Sequence, residues 1–266
     1  NAMIGACKIG EERIKAVVDK YGLSTVQEGV QYTFDYSEKK FRNAIAKWPK
    51  GVYTGRSLLD QDFRGNENIN VDVSIEVRDD GVVVDFSGSH VQSPGVINSV
   101  LGNTVSYVYG CFSAVCPDAP INSGFFRPIR VVLPEGSVVN PDPPAAAAYA
   151  TICIGCTIGE AVMQALEKIV PEHVGTTSID LSILWTHGVD PRTKSFFISY
   201  DYHASPISSG GTYGVDGWGG WSALFCALQL ASVEMTEIQY PFLYLEGEYT
   251  TDSAAAGQWR GAPAYS

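Results

Sequence analysis

Ile69-Asn70-Val71-Asp72-Val73-Ser74-Ile75-Glu76-Val77, then Asp79-Asp80-Gly81, then Val82-Val83-Val84-Asp85-Phe86, is the stretch that decides the fold. From 69 to 77 every second residue is apolar and the residues between are polar, the period of a strand with one dry face and one wet face. Asp79-Asp80-Gly81 supplies turn residues. The apolar run 82–86 then returns as the antiparallel partner, a hairpin that leaves Asp85 at the end of its second strand.

Upstream, residues 8–21 are charged and helical in pattern and stop near Gly22. Ser24 opens a second helix, with Gln27 placed to complete a capping box. Val30, Phe34, Phe41, Ile45 and Trp48 share one 3.6-residue stripe, which predicts a side buried along the whole helix, while Lys39, Lys40, Arg42 and Lys47 form a solvated face. Pro49-Lys50-Gly51 ends this helix, and a short strand is expected at 51–55. Downstream, Ile97, Val100, Leu101, Val105, Val108, Phe112 and Val115 predict a helix over 97–115. A strand at 128–133 leads into the Pro-rich loop 134–144, and the pattern is helical again from 151 to 170. Strands are expected at 178–185 and 195–201 around the turn Asp190-Pro191-Arg192, a helix at 222–238 and a last strand at 242–249. Between these, 205–220 interleaves six glycines with Tyr213 and Trp218, a long loop of the functional or mobile kind.

The expected fold class is therefore α+β: antiparallel hairpins and a mixed sheet packed with three to four long helices. We expect a helical lead-in (1–50), an αβ core lobe (51–150) and a second αβ lobe with the Gly/aromatic-rich loop (151–266). The 266 residues, 45% hydrophobic, are ample for a core. The net charge of −11 lacks any Lys/Arg cluster, which argues against nucleic acid as a partner. No apolar run approaches the roughly 20 residues of a membrane span, and six scattered cysteines read as reduced thiols, so a cytoplasmic location is the expectation.

The motifs of this stretch and its surroundings resemble one family. Asp85-Phe86-Ser87-Gly88-Ser89, Pro94-Gly95-Val96-Ile97-Asn98, Asn122-Ser123-Gly124, Phe126-Arg127-Pro128-Ile129 and Pro134-Glu135-Gly136-Ser137 look like the signature run of the hydantoinase B/oxoprolinase family, which includes the alpha subunit of acetone carboxylase. Asp35-Tyr36-Ser37-Glu38, Gly51-Val52-Tyr53 and Gly257-Gln258-Trp259-Arg260-Gly261 agree with it in the right order. The resemblance implies a part of an ATP-dependent enzyme acting on a small carbonyl substrate, by ring-opening of a cyclic amide such as a hydantoin or 5-oxoproline, or by carboxylation of a ketone. It also implies a hydantoinase A-like partner subunit that handles ATP in a hetero-oligomer, and a divalent metal whose ligands lie mainly upstream of the matched region. Family members continue on both sides, so a fragment, inactive in isolation, is expected. The 150–157 segment, the Tyr213–Trp221 loop and Ala254-Ala255 depart from the hydantoinase pattern and lean toward the carboxylase branch or an uncharacterised one. The other reading is a structural module that forms the interface with the ATP-handling partner.

Few residues carry chemistry. No phosphate loop, dinucleotide fingerprint or nucleophile elbow occurs. Of four histidines, His203 beside Asp201 at the mouth of the Gly-rich loop is the candidate for catalysis, together with Asp85 and His90, which as neighbours of one loop would act as base and orienter or as two metal ligands. Arg127 either pairs with an internal carboxylate, Asp85 being the obvious one, or holds a substrate carboxylate; Tyr213 and Trp218 are the other candidate substrate contacts. Cys153 and Cys156 have C-x-x-C spacing but no second ligand pair, and read as packed thiols.

Overall fold

A computed structural model describes residues 2–175, 184–201, 209–217 and 231–264. Two long helices, α1 (Ala2–Tyr21) and α2 (Leu23–Ile45), lead into strands β1 (Gly51–Gln61), β2 (Glu67–Val77) and β3 (Val82–Asp85). Helix α3 (Leu101–Val115), the short α4 (Ser123–Phe126), β4 (Ile129–Val132) and α5 (Ile154–Glu167) follow. Then come β5 (Leu184–Val189), β6 (Phe196–Asp201) and α6 (Val233–Gln239). The class is α+β, with a four-stranded sheet in the order β1-β2-β3-β4 and a two-stranded ribbon β5-β6. β1, β2 and β3 are antiparallel neighbours, and β4 joins parallel to β3 after the crossover through α3 and α4.

The alternation of β2 dictates the packing. Ile69, Val71, Val73, Ile75 and Val77 are all buried, against Ile154, Ile158, Ala161, Val162 and Leu166 of α5 and Val108 and Phe112 of α3 in one core. Apolar area removed from water here is worth roughly 25 cal/mol per Å². An aromatic cluster extends that core to α2, with Phe41 4.4 Å from Phe125 and 6.1 Å from Phe112 between ring centroids. Helix α5 comes so close to β1 that a Cβ on Gly55 would lie 1.9 Å from the Ala161 carbonyl oxygen. It also covers the edge of the sheet: Gln164 Oε1 accepts from the Arg56 backbone N–H at 3.1 Å, and Lys168 Nζ donates to the Thr54 carbonyl at 2.6 Å. Those two backbone groups point away from β2 and would otherwise offer an open edge.

Several expectations change. The α2 stripe is buried only at its C-terminal half: Phe41, Ile45 and Trp48 are in the core, but Val30 is 49% exposed, because nothing described packs beside the first turns. Ser24 makes no capping box; the N-cap is Gly22 without a side-chain bond, and the Ser24 hydroxyl donates to Glu28. Helix α3 begins at Leu101, since Asn98 is drawn inward, its amide nitrogen donating to the carbonyls of Ser93, Gly95 and Ala146 while its oxygen accepts from Ser93 N–H. β1 runs on to Gln61 rather than stopping at 55. Residues 242–248 form no strand; Leu243 and Leu245 stand exposed, and no described strand offers them a ladder. Residues 178–183 and 222–230 of the expected strand and helix lie outside the described residues.

Asp62 closes the β1–β2 turn from a fully buried position. Its carboxylate accepts from the Asn66 side chain and the Ser93 hydroxyl at 2.6 Å each, and from the backbone N–H groups of Arg64 and Asn66. These bonds, the Asn66 side chain first, hold its carboxyl far below the usual carboxylate range.

Two outcomes follow. Gly55→Ala is expected to lower the stability measured in denaturant by about 1–3 kcal/mol or more through overpacking. Gly102→Ala in α3, where an added methyl meets nothing, stays within about 0.5 kcal/mol of wild type. Because the folded pKa of Asp62 is depressed, its contribution is present above the unfolded value of ~3.9 and drains away as pH falls below it. An acid titration of the denaturation midpoint should show that loss in wild type, and Asp62→Asn should start lower at neutral pH and show a shallower acid limb.

Candidate functional site

The wet face of the sheet is where the chemistry-bearing residues gather. Arg56 and Thr54 of β1 stand opposite Asp72 and Ser74 of β2, and Ser74 stands opposite Asp85 of β3. Asp72, Ser74 and Asp85 are half-buried. With Ser87, Gly88, Gln164 and Lys168 they line a groove of about 530 Å³. Arg56 Nε lies 3.5 Å from Asp72 Oδ1. Asp85 Oδ1 accepts from the Ser87 backbone N–H at 2.8 Å and from the Ser87 hydroxyl, an Asx turn that fixes the carboxylate at the strand end. Two cations and two carboxylates thus share the groove.

Across Gln164 lies a second cavity of about 420 Å³, between Glu160, Met163, Gln164 and Glu167 of α5, residues 171–175 and the segments around Tyr213 and Trp259. Gln164 lines both cavities, so the two are neighbours on one side of α5. The far wall is built from two segments distant in sequence. Gly217 N–H donates to the Arg260 carbonyl at 2.7 Å, and Ala262 N–H to the Ser209 carbonyl at 2.9 Å. A Cβ on Gly217 would lie 2.4 Å from the Ser209 oxygen, which gives this glycine of the Gly-rich loop its reason. The pairing sets the Tyr213 and Trp259 rings 4.7 Å apart at 52°.

Of the candidates, Asp85 lines the groove and Tyr213 the second cavity. His90 bonds through Nδ1 with the Val91 carbonyl at 2.7 Å, while Asp85 bonds to Ser87, so no hydrogen bond pairs the two. Arg127 does not meet Asp85. Its guanidinium reaches back to α2, 2.7 Å from Asp35 Oδ1 and 2.9 Å from Glu38 Oε2. The reason is the docking of α4 on α2, where Asn122 Nδ2 donates to Ser37 Oγ at 2.7 Å and turns the following arginine toward that helix. Arg127 first, then Arg42, holds the Glu38 carboxyl below its ordinary range. His203 and Trp218 lie outside the described residues. Cys153 and Cys156 lie at the start of α5, half-buried. Burial pushes the Cys116 thiol up to about 12.

Among the described residues no three His, Cys, Asp or Glu side chains converge as a metal site, so these residues do not furnish one. Sequence reasoning missed Glu160, Gln164, Lys168 and Trp259. The first three are spaced i, i+4, i+8 along α5 and its C-cap, a polar stripe beside the apolar face that could have flagged them.

The class defined by this fold is an α+β module whose sheet has its apolar face covered by α5 and its polar face open as a groove. The chain matches the Hydantoinase B/oxoprolinase model over residues 1–266 and belongs to that family. It is 32% identical over 268 residues to caprolactamase subunit beta of Pseudomonas jessenii, covering 98% of this chain and 46% of that relative. The crystal structure of the ATP-dependent caprolactamase from the same organism superposes with a TM-score of 0.89 at 31% identity, over 99% of this chain and 46% of that one. A nucleotide-free acetone carboxylase shares the fold, with a TM-score of 0.83 at 18% identity over 95% of this chain and 36% of that one. The chain thus spans less than half the length of these relatives. No helix among the described residues is long and apolar enough to cross a membrane.

If Arg127 is a clamp between α4 and α2, Arg127→Ala should speed amide exchange severalfold across residues 35–41. Asp85→Asn should leave that segment unchanged in the same hydrogen-exchange measurement.

Proposed function

We propose that this chain is part of the B-type subunit of an ATP-dependent enzyme that opens a cyclic amide, a lactam, hydantoin or 5-oxoproline ring, in a hetero-oligomer with a hydantoinase A-like subunit that handles ATP. The observation that carries the reading is the groove that sets Asp85 beside Arg56 and Lys168 in a chain about one-third identical to a caprolactamase subunit. The lower identity to acetone carboxylase weighs against the carboxylase branch.

An amide resists water until its carbonyl oxygen is polarised or phosphorylated. The sequence has no phosphate loop, so the phosphoryl transfer is assigned to the partner. In this groove Lys168 and Arg56 face the oxygen that gains negative charge. Asp85, oriented by Ser87, takes the proton of the attacking water. On this reading His203 serves proton transfer to the leaving nitrogen, and Tyr213 and Trp218 contact substrate. Any divalent metal is held by ligands beyond the residues described, and no step here runs through it. The setting is cytoplasmic. The second reading is a module that organises the interface with the ATP-handling subunit.

The test pairs the intact subunit with its partner and measures phosphate release with caprolactam, hydantoin, 5-oxoproline and acetone plus bicarbonate. Turnover with a cyclic amide, falling at least a hundredfold in Asp85→Asn with KM little changed, is expected. Turnover only with the ketone contradicts the amide reading, and unchanged turnover in Asp85→Asn supports the interface reading.

A further inference from the structure

We propose that the cavity at the Tyr213–Trp259 corner binds a protonated amine. Among the described residues its lining carries two carboxylates, Glu160 and Glu167, and no Lys, Arg or His. The two lie seven residues apart on α5, on the same side and about 10 Å apart along the axis. One oxygen of Glu160 accepts the Ser57 hydroxyl, which ties that carboxylate to β1. Glu167 forms no hydrogen bond or ion pair with a described residue and keeps its whole charge for a ligand.

Opposite them, the inclined rings of Tyr213 and Trp259 make an aromatic corner. Ring faces attract cations, and a corner of two rings offers two such faces. An anion would meet two like charges within a Debye length, and a neutral apolar ligand would gain nothing from either carboxylate. A volume of about 420 Å³ has room for an alkyl chain behind the charged end. The adjoining groove differs in kind: there Arg56 and Lys168 balance Asp72 and Asp85, so of these two cavities the aromatic one carries the one-sided charge among the described residues.

The link to catalysis rests on the ring-opening reading above. For a lactam or 5-oxoproline ring, the amide C–N bond breaks, water's oxygen goes to the carbonyl carbon, and the nitrogen leaves as an amine that takes up a proton at neutral pH; a hydantoin releases a neutral ureido group instead. The cavity next to Asp85, across Gln164, is placed to receive that end of the product.

Isothermal titration of the protein with n-butylammonium, 6-aminohexanoate and hexanoate tests this. The two amines should bind saturably and hexanoate should not. Glu167→Gln and Trp259→Leu should each weaken amine binding fivefold or more, and the exposed Glu167 position keeps the test valid if the tryptophan variant misfolds. Equal binding of hexanoate, absence of saturable amine binding, or unchanged affinity in Glu167→Gln overturns the assignment. Amine binding without turnover of any cyclic amide keeps the cation site and removes only the ring-opening reading; turnover without amine binding does the reverse.

Discussion

The structure depends on how closely the backbone of α5 lies on strand β1. Gly55 removes the one side chain that would hold the helix off, and the apolar face of β2 supplies the reason for the approach. Burial is non-directional, so it fixes that α5 lies on the sheet but not where. Position comes from the polar side chains: Gln164 and Lys168 bond outward-facing backbone groups of β1, and Glu160 takes the Ser57 hydroxyl. The same three residues that seat the helix then line the two cavities that meet at Gln164, which makes packing and site inseparable.

The sequence was most legible where a single local period decided the outcome. The alternation of β2, the turn at 79–81 and the return through Val82–Asp85 appear in the structure as read, because one buried face leaves no freedom of register. Legibility failed where a distant partner decided. Arg127 announced a buried or paired charge, yet nothing near it in the chain says that Asp35 and Glu38, some ninety residues earlier, would be the partners. The start of α3 moved to Leu101 because Asn98 found three carbonyl acceptors in two loops, a choice that helical periodicity ignores. Trp259 was visible only as part of a family motif; that it stacks beside Tyr213 follows from backbone bonds between 209–217 and 260–262.

These placements give the family match a physical content. The caprolactamase polypeptides, at about 31–32% identity, are more than twice as long as this chain. What this segment brings is a sheet face with balanced charge, an oriented carboxylate at a strand end, and an adjacent acidic, aromatic cavity. On the proposed reading, that combination gives the carbonyl and nitrogen ends of a substrate different surroundings and leaves phosphoryl transfer to a partner subunit.

The account stands on the claim that α5 joins the Asp85 groove and the Tyr213–Trp259 cavity through Gln164. The side-chain amide resonance of Gln164, assigned in glutamine-labelled protein by its loss in Gln164→Leu, reports on both at once. The account predicts that this signal shifts when n-butylammonium is added and shifts separately in Asp85→Asn. A resonance that responds to neither, or to only one, would contradict it.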